Sequence, residues 1–166
     1  MHGHNVDMMT ENILSKESLK SELIKLKQEG KKVVFTNGCF DIIHAGHVHY
    51  LNQAKECGDI LIVGLNSDRS VRSIKGAPRP LVPQEDRAYI IVSLKAVDYV
   101  TIFDEDTPLQ LIEYLEPHIL VKGGDWSEDR VVGGRSVVEK GGHIQIIPFV
   151  EGKSTTNLIK KILSMH

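Results

Sequence analysis

The sequence predicts an α/β fold, an open parallel sheet with helices on both faces. Three observations predict it. The strand-like runs are apolar throughout, as in Val33-Val34-Phe35 and Ile60-Leu61-Ile62-Val63, the pattern of strands covered on both sides. These runs alternate with helical repeats, and most connections are short. A length of 166 residues suits one compact domain able to bury a core without disulfides.

Taken in order, residues 1–14 form a polar lead, expected to be flexible, ahead of a single domain over 15–166. Ser15 to Glu29 reads as a helix, because Leu19, Leu23 and Leu26 fall on one face and Gly30 follows as a stop. Lys32 to Thr36 is a short strand, then a turn over Asn37 to Asp41, then a helix from near Gly46 to Glu56. Asp59 to Leu65 is the second strand. Asn66 to Pro83 reads as a long loop, functional or mobile, with Arg69, Arg72, Lys75 and Arg79 along it. Pro83 to Lys95 is a helix with Pro83 in its first turn. Val97 to Phe103 is a strand, Pro108 to Leu115 a helix, and Ile119 to Val121 a strand running into Lys122-Gly123-Gly124-Asp125-Trp126. Val132 to Glu139 is a helix, His143 to Phe149 the last strand, and Ser154 to Leu163 the last helix, capped by Ser154 or Thr155.

A net charge of -2 excludes bulk attraction to nucleic acid or to an anionic membrane. No apolar run nears a membrane span. The N-terminus lacks the apolar stretch of a signal peptide, and a cytoplasmic location is expected. Cys39 and Cys57 suggest no disulfide framework. His2 and His4 form a weak metal signal.

In such sheets ligands bind beyond the carboxyl ends of strands, where the strand order reverses. Segments 36–47, 66–80 and 122–126 occupy post-strand positions. The first holds His44-Ala45-Gly46-His47. Histidines three apart at a helix entry share a side. Gly46 permits close approach to the backbone, and free N–H groups with the helix dipole favour phosphate. Two imidazoles there can donate to phosphate oxygens and, if protonated, offset charge as a phosphoryl bond breaks. Cys39, His44, His47 and His49 could supply metal ligands, but His-x-x-His without a second spaced pair is a weak zinc signal.

Thr36-Asn37-Gly38-Cys39-Phe40-Asp41 followed by His44-Ala45-Gly46-His47 resembles the signature of the cytidylyltransferase-like nucleotidyltransferases, whose Rossmann-like fold agrees with the sheet read above. Glu85-Asp86-Arg87, Val121 to Trp126 and Glu151-Gly152-Lys153-Ser154-Thr155-Thr156 follow in that family's order and spacing, so the resemblance covers Lys31 to the end. The last two segments resemble the adenylyltransferase domain of bacterial ADP-heptose synthase. In some bacteria that domain is fused to a sugar kinase; this length leaves no room for one, so a stand-alone form is expected. Glycerol-phosphate cytidylyltransferases typically carry an arginine where this chain has Phe149-Val150, and two acidic residues where it has Gly124-Asp125. Both departures point toward heptose phosphate, with a cytidylyltransferase for glycerol phosphate or another alcohol or sugar phosphate as the alternative.

The resemblance implies transfer of AMP from ATP to D-glycero-β-D-manno-heptose 1-phosphate for lipopolysaccharide core or surface glycan synthesis. It implies His44, His47 and Arg87 as catalytic residues, and Lys75, from its place in the long post-strand loop, is read with them as a catalytic cation holding phosphate. Thr36, Asn37, Gly38, Cys39, Phe40, Gly46, Lys122, Gly123, Asp125, Ser154, Thr155 and Thr156 would meet the nucleotide, partly through backbone. Asp41, Arg79 and Trp126 would face the acceptor, Asp41 lying near it or the metal ion. Mg²⁺ would arrive on the triphosphate rather than on protein side chains. Relatives suggest a homo-oligomer, a dimer or larger.

Overall fold

The computed structural model describes residues 10–124 and 127–165. His2, His4, Asp125 and Trp126 lie outside them. Helix α1 (Lys16–Gln28) is capped by Ser15, whose hydroxyl accepts from the Ser18 N–H, and it buries Leu19 and Leu23. Next come β1 (Val33–Gly38), α2 (Ala45–Glu56), β2 (Ile60–Asn66), α3 (Asp68–Lys75), α4 (Gln84–Val92) and β3 (Tyr99–Phe103). Then follow α5 (Leu109–Leu115), β4 (Ile119–Gly123), a short 3₁₀ turn (Glu128–Arg130), α6 (Gly134–Glu139), β5 (His143–Ile147) and α7 (Thr155–Leu163).

All five strands are parallel, in the order β3-β2-β1-β4-β5. The apolar runs are continuous because successive side chains enter different cores. Val34, Leu61, Val63 and Val121 pack beneath Leu51 and Ala54 of α2 and Ala88 and Ile91 of α4. Val33, Phe35, Ile62 and Leu120 pack beneath Leu19 and Leu23 of α1 and Leu111, Ile112 and Leu115 of α5. The strand order reverses between β1 and β4. There the ladder has only the pairs Val34↔Ile119 and Phe35↔Leu120, whereas β1 and β2 pair from Val33↔Ile60 through Gly38↔Leu65.

Several expectations are corrected. Residues 66–83 are not one long loop, because α3 occupies much of that stretch. Ser67 caps it by accepting from the Ser70 N–H, and Val71 is buried. With so few buried side chains on a short helix, the apolar periodicity is too sparse to register among the cations. Asn37 and Gly38 end β1 rather than open a turn, and Pro83 is the N-cap of α4 rather than part of its first turn. Nor is the whole lead free: Leu14 N–H donates to Val100 O and Val100 N–H to Asn12 O, so Asn12–Leu14 covers the outer edge of β3.

Candidate active site

Beyond β1 the chain turns through Phe40, a non-glycine residue with φ of 45°. Burial of its ring holds that conformation. The ring lies under Gly38, where an added Cβ would come within 2.8 Å of it, and meets His47 edge-on at a centroid distance of 5.3 Å. Helix α2 then starts with His44 as N-cap. Its Nδ1 accepts from the Gly46 N–H at 3.1 Å, and His47 Nδ1 accepts from the His44 N–H at 3.3 Å. The two imidazoles stack, centroids 3.8 Å apart and 28° between planes. Because each Nδ1 is an acceptor, the neutral ring carries its proton on Nε2. Both Nε2–H groups are thereby set as donors. Burial lowers the His44 pKa, with Lys153 adding to it, and burial pushes His47 down to about 4, with His44 adding to it. Without an anion at the site, both rings are neutral near pH 7.

Gly46 is required by crowding. A Cβ there would stand 2.9 Å from the His44 ring and 3.0 Å from Lys153 Cβ. Lys153 thus brings the start of α7 against the start of α2, and Thr155 Oγ1 ties them further by donating to Ile42 O at 3.2 Å. Ser154 caps α7, accepting from the Asn157 N–H, and Thr156 is exposed beside it. Two helix N-termini and a lysine therefore converge on the histidine pair, an arrangement suited to a polyanion.

The far wall is β4. Lys122 Nζ donates to Asn37 Oδ1 at 3.4 Å, and burial lowers the lysine's pKa. Thr36 is fully buried and its hydroxyl bonds the Tyr50 hydroxyl at 2.6 Å; that hydroxyl in turn donates to Val121 O. Thr36 can meet a nucleotide only through its backbone. Gly123 and Gly124 carry the Phe149 ring directly over them, and Gly124 has a φ of 107°. Lys75 is exposed at the last turn of α3, where its charge reaches the Cys39 thiol. Burial nevertheless pushes that thiol up, so it stays protonated, and both cysteines are free.

Asp41 and Arg87 are engaged with the protein itself, and Arg79 is engaged through its Nε. Asp41 accepts from the Leu81 and Val82 N–H groups and from Arg79 Nε, and its side chain is 1% exposed. Burial would raise its pKa, but these donors outweigh it and hold the carboxylate below its usual range. It is a clamp on residues 79–82, closed to acceptor and metal alike, and it takes Arg79 Nε with it. Arg87 is fully buried. It donates to Val82 O, Cys39 O, Asn66 O and Asp68 Oδ1 at 2.6–2.9 Å. It positions the segments after β1 and β2 rather than touching a phosphate. Among the described residues no group of three or more His, Cys, Asp or Glu could hold a metal ion, and no helix is long and apolar enough to cross a membrane.

Lys153 and Tyr50 escaped the sequence reading. Lys153 stands immediately before the Ser154 cap, and Tyr50 lies three residues after His47, on the same side of α2. A separate hollow of about 380 Å³ at the end of β3 is lined by Arg69 and by Asp104, Glu105 and Asp106, whose excess of negative charge disfavours a triphosphate.

A cytidylyltransferase-like family model matches residues 35–161. Bifunctional protein HldE of Geobacter sulfurreducens is 56% identical over 140 residues, which is 84% of this chain and 29% of that protein. HldE of Citrifermentans bemidjiense is 51% identical over 164 residues, 99% of this chain and 34% of that one. The chain spans about a third of the length of the curated relatives it matches. A crystal structure of the lipopolysaccharide core biosynthesis protein from Thermoplasma volcanium superposes with a TM-score of 0.62 and 28% identity, covering 75% of this chain and 100% of that chain. With the parallel sheet, the histidine pair at the first crossover and this match over most of its length, the chain belongs to the cytidylyltransferase-like family of nucleotidyltransferases.

Proposed function

We propose that this enzyme transfers AMP from ATP to D-glycero-β-D-manno-heptose 1-phosphate, releasing pyrophosphate and ADP-heptose for lipopolysaccharide core or surface glycan synthesis. The observation that carries the transfer chemistry is the stacked His44–His47 pair, with both Nε2–H donors held where α2 and α7 begin. The choice of substrates is supported by the motifs at 122–126 and 151–156, by the HldE relatives, and by the lipopolysaccharide core role of the Thermoplasma volcanium neighbour. A phosphate oxygen of the sugar phosphate attacks the α-phosphorus in line. The bond from that phosphorus to the bridging oxygen breaks, and pyrophosphate leaves with the electron pair. His44, His47 and Lys153 donate to the oxygens on which charge grows, and the amides at the helix starts add to this. Holding the two phosphates in register supplies much of the remainder. Mg²⁺ would be held by the triphosphate rather than by protein side chains, and would offset charge there.

The test is pyrophosphate release with Mg²⁺, ATP and heptose 1-phosphate, run beside CTP and GTP and beside glycerol phosphate. Release fastest with ATP and the heptose phosphate is expected. Release only with CTP and glycerol phosphate would overturn the substrate choice, and none with any pair would overturn the reaction. His47→Ala should lower kcat by ~10²-fold or more, the usual effect of removing a donor to developing charge.

A further inference from the structure

The segment joining β5 to α7 touches the crevice at two points. At one end Lys153 packs against Gly46, beside the histidines. At the other, Phe149 lies across the end of β4. A Cβ on Gly123 would stand 2.9 Å from Phe149 Cε1, and one on Gly124 would stand 2.8 Å from Cε2, so the ring bridges both residues. Any side chain at either glycine would dislodge it. Yet the residue is 75% exposed. A phenylalanine seated on two bare backbone units, with most of its surface in water, gains little from packing. Left so, it exposes apolar area that a ligand would cover.

We propose that Phe149 is the stacking platform for the nucleobase and favours a purine. Lys153 lies four positions further along the chain, a span of at most roughly 14 Å when extended. A triphosphate held at Lys153, His44 and His47 thus leaves its base within reach of the ring. Both glycines lie at the carboxyl end of β4, across the strand-order reversal from β1. A flat, apolar, sequence-tolerant surface is what a base needs, and a two-ring base covers more of it than a one-ring base. The inference rests on reading the site as one for ATP.

Binding separates the two ideas. Calorimetry with Mg·ATP, Mg·CTP and Mg·tripolyphosphate would be run on wild type, Phe149→Ala, Phe149→Leu and Phe149→Tyr. Loss of about tenfold or more in ATP affinity is expected for Ala and Leu, the usual size of a lost base–aromatic stack. Tyr should restore it, CTP should lose less, and tripolyphosphate, which has no base, should bind all four alike. Thermal midpoints without ligand should agree, because the ring is exposed. Equal ATP affinity in all four proteins would overturn the proposal, as would an equal loss for tripolyphosphate, and a loss for CTP as large as that for ATP would overturn the purine preference. If wild type binds tripolyphosphate but no nucleotide, the proposal and the ATP reading fall together. If ATP binding behaves as stated but heptose phosphate is not a substrate, only the acceptor assignment fails.

Discussion

At the scale of single residues, the histidine pair is held by the backbone it caps. His44 and His47 each accept one amide of the same helical turn, so their orientation exists before any substrate arrives. Burial sets the sign of the pH response. His47 has a folded pKa of about 4 against 6.5 for an ordinary histidine, so the unfolded chain takes up the proton first. The stability contributed by the neutral ring is complete above 6.5 and is lost as pH falls toward about 4. Urea unfolding across that range should show a steeper loss for wild type than for His47→Asn. Gly46 gives a second prediction at this scale. Alanine is the better helix former by about 1 kcal/mol, so Gly46→Ala ought to leave α2 intact. Its Cβ would nonetheless press on the His44 ring and on Lys153. Activity should drop by about 10²-fold, as for a misplaced catalytic group, with an urea midpoint near that of wild type. The motif and its place after a strand were legible in the sequence. The roles of Asp41 and Arg87 were not, because a charged residue in a family motif reads alike whether it meets a substrate or a carbonyl. Only the burial of Arg87 among three carbonyls and Asp68 separates the two.

At the scale of elements, Arg87 links three segments that are distant in sequence. From α4 it holds the turn after β1, the end of β2 and start of α3, and the loop at Val82, while Asp41 grips the same loop from the other side. Arg87→Ala would leave these carbonyls and the Asp68 carboxylate without their donor. We expect a loss of about 3 kcal/mol or more in urea unfolding, as when one partner of a buried pair is removed. Nucleotide affinity should weaken with it, since the Cys39 turn would lose its anchor. Long elements with a regular apolar face, such as α1 and β2, could be read from sequence because burial alone dictates them. Helix α3 could not, since apart from the buried Val71 its fixing contacts are polar, the Ser67 cap, the Asn66–Ser70 bond and the Asp68–Arg87 pair, each reaching a residue outside the helix.

At the scale of the whole molecule, the two cores sit on opposite faces of one sheet, and the site lies at the carboxyl end of the reversal between β1 and β4. Ligands that bind only the folded state add to its stability, so ATP at a hundred times its Kd should add about 2.7 kcal/mol. A thermal-shift series read against calorimetric Kd values would check this, and a nucleotide that leaves the midpoint unmoved at saturation would count against binding to the folded site. The short β1–β4 ladder has a further consequence. Past the Phe35↔Leu120 pair the ladder gives no further paired residues among those described, and side chains reach across, with Tyr50 bridging Thr36 and Val121 and Lys122 reaching Asn37. The cores on both faces cross this line, but its ladder is the shortest in the sheet. Prising β1 from β4 breaks fewer backbone bonds than prising apart any other strand pair. A nucleotide spanning the crevice would therefore add a link where the backbone supplies fewest, like a clasp across the spine of a book.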